Sequence, residues 1–130
     1  MTNQMHKTAD GLFAAIERGD LAAVDALYAD DVVVWNSVMP RPMDKARSLA
    51  VLEWLLAPGV TRQYEVHERM IDGDRLAQRH TLRVGIPGHD VIEMPVSLFI
   101  TIDDGRITAI DEYVDSKATD LLIERVPRPS

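Results

Sequence analysis

Arg75-Leu-Ala-Gln-Arg-His-Thr-Leu-Arg-Val84 is the stretch that decides the fold. Its even positions are Leu76, Gln78, His80, Leu82 and Val84, while three of its odd positions are arginines. Such alternation marks a strand with one face on a core and the other in water. The apolar parity faces inward, so His80 points into the core. Downstream, Pro87-Gly88 ends this strand, and Val91 to Ile102 reads as a second, longer one. Asp103-Asp104-Gly105 signals a hairpin into a last strand, Arg106 to Val114. Upstream, Asp72-Gly73-Asp74 turns back to a strand over Gln63 to Met70. Before it, Asp44 caps a helix bearing Leu49, Leu52 and Leu56, which ends before Pro58-Gly59. Pro40 and Pro42 make a rigid bend after the β-branched and aromatic strand Asp31 to Ser37. Met5, Ala9, Leu12, Phe13 and Ile16 stripe a first helix. Gly19 stops it, and Asp20 caps a second helix with Leu21, Val24, Leu27 and Tyr28 on its apolar face. Ser116 to Glu124 is a short terminal helix, and Pro127 and Pro129 mark a loose tail.

Helices first and an antiparallel meander after them is an α+β layout, in one domain over residues 1–130. A strongly curved mixed or antiparallel sheet over three N-terminal helices forms a cone with a pocket inside. The chain has 14 Lys and Arg against 21 Asp and Glu, a net charge of −7. That balance argues against nucleic acid and against an anionic membrane surface as partners. Cysteine is absent, which removes disulfides, thiolate nucleophiles and cysteine metal sites. No apolar run approaches the ~20 residues that span a bilayer, and Met1 to Asp10 has no signal-peptide pattern. A cytoplasmic protein is therefore expected.

Three polar side chains fall on apolar strand faces. Asn36 shares a face with Val32 and Val34, with Trp35 on the other. His80 lies between Gln78 and Leu82, and Glu112 lies between Ile110 and Val114, although Ile107 sits on the opposite parity. A buried carboxylate is costly unless paired or neutralised. A histidine within reach would be its natural partner, sharing a proton near neutral pH. Each of the three also fits a satisfied core residue taken alone; their coincidence favours chemistry. His6, His67 and His89 lack metal-ligand spacing, so no metal and no cofactor are expected.

The runs Phe13-Ala-Ala-Ile-Glu-Arg-Gly-Asp-Leu21 and Leu27-Tyr-Ala-Asp-Asp31-Val-Val-Val resemble the opening of the nuclear-transport-factor-two-like superfamily. The ending Asp104-Gly-Arg-Ile-Thr-Ala-Ile-Asp-Glu-Tyr-Val-Asp115 resembles its SnoaL-like and limonene-epoxide-hydrolase-like branch. The resemblance implies a cystatin-like, SnoaL-like cone or barrel of curved sheet with three helices, a deep apolar pocket, and a homodimer built on the outer sheet face. Limonene epoxide hydrolase uses Tyr, Asn, Arg and two Asp; those positions hold Val34, Asn36, His80, Leu82 and Glu112 here. The epoxide-opening acid is thus replaced by Leu82. The positions that ketosteroid isomerase fills with Tyr and two Asp hold Leu12, Asn36 and Ser97. Polyketide cyclases of the SnoaL type use an acid or base in a comparable pocket.

The expectation is a cofactor-independent enzyme doing general acid–base work on a small apolar organic molecule. Either water addition of the epoxide-hydrolase kind or proton transfer of the isomerase or cyclase kind fits. Glu112 is the base, His80 its partner or the acid, and Asn36 orients water or the substrate oxygen. Trp54, Met94, Val96 and Leu98 line the pocket. The alternatives are a non-catalytic ligand-binding or dimerisation module, and an accessory partner in a larger complex.

Overall fold

The structure is a computed structural model, and it describes residues 2–128; Pro129 of the expected tail lies outside them. The elements follow as α1 (Thr2–Glu17), α2 (Leu21–Leu27), β1 (Tyr28–Asn36), α3 (Lys45–Leu55), β2 (Thr61–Asp72), β3 (Arg75–Gly85), β4 (Ile92–Asp103), β5 (Arg106–Val114) and α4 (Ser116–Arg125). Order and type follow the sequence reading. β1 begins earlier than expected, so Tyr28 opens the strand instead of closing the helix before it.

The strands form one curved, mixed sheet in the order β1-β5-β4-β3-β2. It is not closed, since β1 and β2 are both edges. β1 runs parallel to β5, and every other pair is antiparallel. The β4–β5 hairpin turns through Asp104 and Gly105, both at positive φ (51° and 75°), as its two-residue turn demands. Alternation is cleanest in β4, where Ile92, Met94, Val96, Leu98, Ile100 and Ile102 are all buried. The opposite sheet face, expected to carry a dimer contact, exposes Val33, Phe99 and Tyr113.

Two bulges reset that alternation. Ala109 pairs with Thr101 and Ile107 with Ile102, so Thr108 is left over. The extra residue lets both Ile107 and Ile110 point inward, at 0% and 5% exposure. This removes the parity conflict at Ile107 and puts Glu112 on the inner face with Ile110. In β2, the register skips His67, so Tyr64 and Arg69 both turn inward.

The helices cover the concave face. α1 buries Met5, Ala9, Leu12, Phe13 and Ile16, the stripe seen in the sequence. Asp20, Asp44 and Asp115 cap α2, α3 and α4 through their carboxylates. Of the described helices, none is long and apolar enough to cross a membrane. Arg62 of β2 joins helix ends to the sheet: it donates to the carbonyls of Ile16 (2.8 Å), Leu55 (3.0 Å) and Val60 (2.9 Å). Ile16 and Leu55 lie at the C-terminal ends of α1 and α3, where carbonyls lose their i+4 donor, and Val60 precedes β2; the Ile16 carbonyl also accepts the Gly19 N–H at 3.1 Å. Replacing Arg62 by Met keeps the length and removes the donors. We expect a loss of about 2–3 kcal/mol, read as a lower urea midpoint at unchanged slope. An unchanged midpoint would show that solvent serves these carbonyls equally well.

Candidate active site

A cavity of about 310 Å³ lies between the inner sheet face and the helices. α3 contributes Val51, Leu52, Trp54 and Leu55 to its wall, and α4 contributes Thr119, Asp120, Leu122 and Ile123. This explains why the apolar residues of α3 are only half-buried: they border open space instead of packed core. The indole Nε1 of Trp54 donates to the Val126 carbonyl (3.4 Å), holding α3 to the end of α4. Val38, Val51 and Ile123 are exposed and mark the opening.

Asn36 and Glu112 meet inside this cavity. Parallel pairing sets Asn36 directly opposite Glu112, and the Asn36 amide donates to Oε1 at 2.9 Å. Asn36 cannot turn over, because its Oδ1 accepts the Val38 N–H at 3.0 Å. Glu112 has no second side-chain partner among the described residues, and its remaining surface faces the cavity. Burial pushes its carboxyl above the usual range, and the Asn36 hydrogen bond pulls it part of the way back.

Two phenols and a hydroxyl that the sequence reading missed add to the polar lining: Tyr28, Tyr64 and Ser48. Burial raises Tyr28 to about 12, partly offset by its hydrogen bond to Ser48, with Glu112 adding to the rise. Burial and the Glu112 charge also raise Tyr64. Both stay protonated and can donate. Tyr28 was read as part of the helix before the strand, and the register shifts between Tyr28 and Val33, so strand parity did not reach it. Tyr64 needed the strand β2 to be read face by face.

His80 is elsewhere. It lies opposite Val96, which lies opposite Val114, two residues beyond Glu112. With strands about 4.8 Å apart, that is a separation on the order of 10 Å. The expected proton-sharing pair does not form. Instead Arg69 Nε donates to Gln78 Oε1 (2.8 Å), so the Gln78 amide faces and donates to His80 Nδ1 (2.9 Å). The imidazole proton is therefore on Nε2. Burial, with the charges of His67 and Arg69, lowers His80 to about 4, so at neutral pH it is no acid. Its ring packs edge-on to Phe13 (5.3 Å) and Tyr64 (5.1 Å), two residues of the cavity wall. Of the expected lining residues, Trp54, Met94 and Leu98 border the cavity. Val96 does not; it faces inward but is packed into the core at 4% exposure.

With this geometry in view, residues 9–110 match the profile of the SnoaL-like domain. The chain belongs to the SnoaL-like domain family. Glu112 lies just past the matched segment. Similar solved structures include an LEH-like epoxide hydrolase of M. tuberculosis, with TM-score 0.77, 22% identity, and coverage of 95% of this chain and 92% of that one. PrhC of Penicillium brasilianum has TM-score 0.83 and 17% identity, covering 95% and 87%. IdmH of Streptomyces antibioticus, proposed to be a polyketide cyclase, has TM-score 0.74 and 23% identity, covering 92% and 97%. At these identities the likeness shows the fold and not the reaction. No curated protein matches the chain in sequence.

The state of His80 has a measurable consequence. Its ordinary value is 6.5 and its folded value about 4. Between the two, the unfolded chain binds the extra proton, so stability falls as pH drops from about 6.5 to about 4. Glu112 works in the opposite sense, since its raised value lets the folded chain take up a proton first. Comparison with His80→Gln isolates the histidine. Urea titrations should show the wild type losing about 2–3 kcal/mol more than the variant across that window. Parallel losses in the two proteins would place a normally titrating imidazole at His80.

Proposed function

We propose that this chain is an acid–base enzyme for a small, mainly apolar organic molecule, moving a proton in an isomerase- or cyclase-type reaction with its own side chains. The observation that supports this most is the Glu112 carboxyl, fixed by the Asn36 amide and open to an apolar cavity. Desolvation brings its basicity closer to neutral pH, where a general base is most effective. Glu112 takes the proton from carbon next to a carbonyl. Tyr28 or Tyr64 donates a hydrogen bond to the carbonyl oxygen as charge develops there. Apolar walls hold the skeleton and exclude water. His80 stands behind Tyr64 as a neutral support, not as the acid.

Water addition to an epoxide has less support. It calls for a strong acid as well as a base, and the position that would carry the acid is Leu82, an apolar part of the wall. A non-catalytic ligand-binding module is the remaining reading, and Glu112→Gln separates the two. Deuterium wash-in beside the carbonyl of a panel of apolar cyclic ketones, followed by NMR, reads the proton transfer directly. We expect the wild type to speed exchange and Glu112→Gln to lose about 10²–10⁴ of the rate, with ketone affinity kept. Ketones that bind both proteins yet exchange no faster than in buffer would leave a binding module.

A further inference from the structure

We propose that the ligand carries an anionic group, held outside the cavity by Arg41 and Arg47. This rests on the reading above that the cavity takes the apolar body. No Lys, Arg or His borders the cavity; its ionisable groups are Glu112, Asp120, Tyr28 and Tyr64. A phosphate or carboxylate has no partner there and meets acidic groups instead. Immediately outside, a groove of about 460 Å³ is lined by Met39, Pro40, Arg41, Pro42 and Arg47. Met39 is a wall of both spaces.

Neither guanidinium has an ion-pair partner among the described residues; the same holds for Arg62, Arg106 and Arg125, but only Arg41 and Arg47 of these line the groove. In a chain of net charge −7, this groove has two arginines and no acidic residue in its lining. Asp44, the carboxylate between them in sequence, is turned to the Arg47 N–H at 2.9 Å as the cap of α3. The segment is also held in place: Val34 and Met43 exchange backbone hydrogen bonds of 2.9 and 2.7 Å, and Pro40 and Pro42 fix its path. Asn36 and Arg41 are five positions apart, so their backbones lie at most about 18 Å from one another. A guanidinium fork matches phosphate or carboxylate oxygens in two-point contact. The ligand class is an amphipathic molecule, apolar at the reacting end and anionic at the other.

The test uses octyl phosphate, octanoate and 1-octanol, with binding read from the fluorescence of Trp54. Trp35→Phe removes the other tryptophan, which packs on Tyr113 away from the cavity. At low salt, at least one anion should bind about tenfold tighter than octanol, and the two anions distinguish a phosphate from a carboxylate head. That advantage should vanish at high salt and in Arg41→Gln/Arg47→Gln, with octanol affinity unchanged; both residues are exposed, so the fold is spared. Octanol binding as well as both anions, or an anion advantage that survives the double substitution, overturns the subsite alone. Failure of all three to bind overturns the cavity reading together with it.

Discussion

A carboxyl group inside an apolar hollow must be met by a hydrogen-bond donor, and here the donor is the Asn36 amide, 2.9 Å from Glu112. That contact depends on the parallel pairing of β1 with β5, which is the one parallel pair in the sheet. It depends equally on the spare residue at Thr108, which sets the inward face of β5. The Val38 N–H then fixes which way the amide points. Strand order, bulge and loop turn converge on the placement of one oxygen.

The same arrangement explains why the interior is not filled. α3 presents Leu52, Trp54 and Leu55 to the sheet without closing on it, and their apolar area remains only partly covered. Unfilled apolar space costs stability, and the fold keeps this cavity open at that cost. The ties around it are polar and local: Arg62 at the helix ends, Trp54 to Val126, and the Thr119 hydroxyl to Met94 sulfur (3.6 Å). They hold the walls apart at fixed spacing while the core beneath them packs normally.

Much of the fold was legible because alternation is a direct consequence of strand geometry. Arg75 to Val84 and Ile92 to Ile102 declare their inner faces residue by residue. The mixed topology was less so, since nothing local in Val32-Val-Val announces a parallel partner 76 residues away. For the site, parity told which face a side chain occupies but not its neighbours. Asn36 and Glu112 proved to be cross-strand partners. His80, on an equally correct face, found Gln78 and Arg69 instead, because β4 stands between it and Glu112. Val96 likewise faces inward but packs where the helices close on the sheet. Tyr64 and Arg69 were hidden by the bulge at His67, which breaks the period that would have paired them.

The ionisation of Glu112 itself is the most direct probe of the site. Carbon-13 NMR of the glutamate side chains across pH, with Glu112→Gln used for assignment, gives its titration in the free protein. A carboxyl titrating clearly above its ordinary 4.5, and higher still once Asn36→Leu removes the amide donor, is the expected result. Titration at or below 4.5, indifferent to residue 36, would mean that Glu112 meets bulk water and that no desolvated base exists in the cavity.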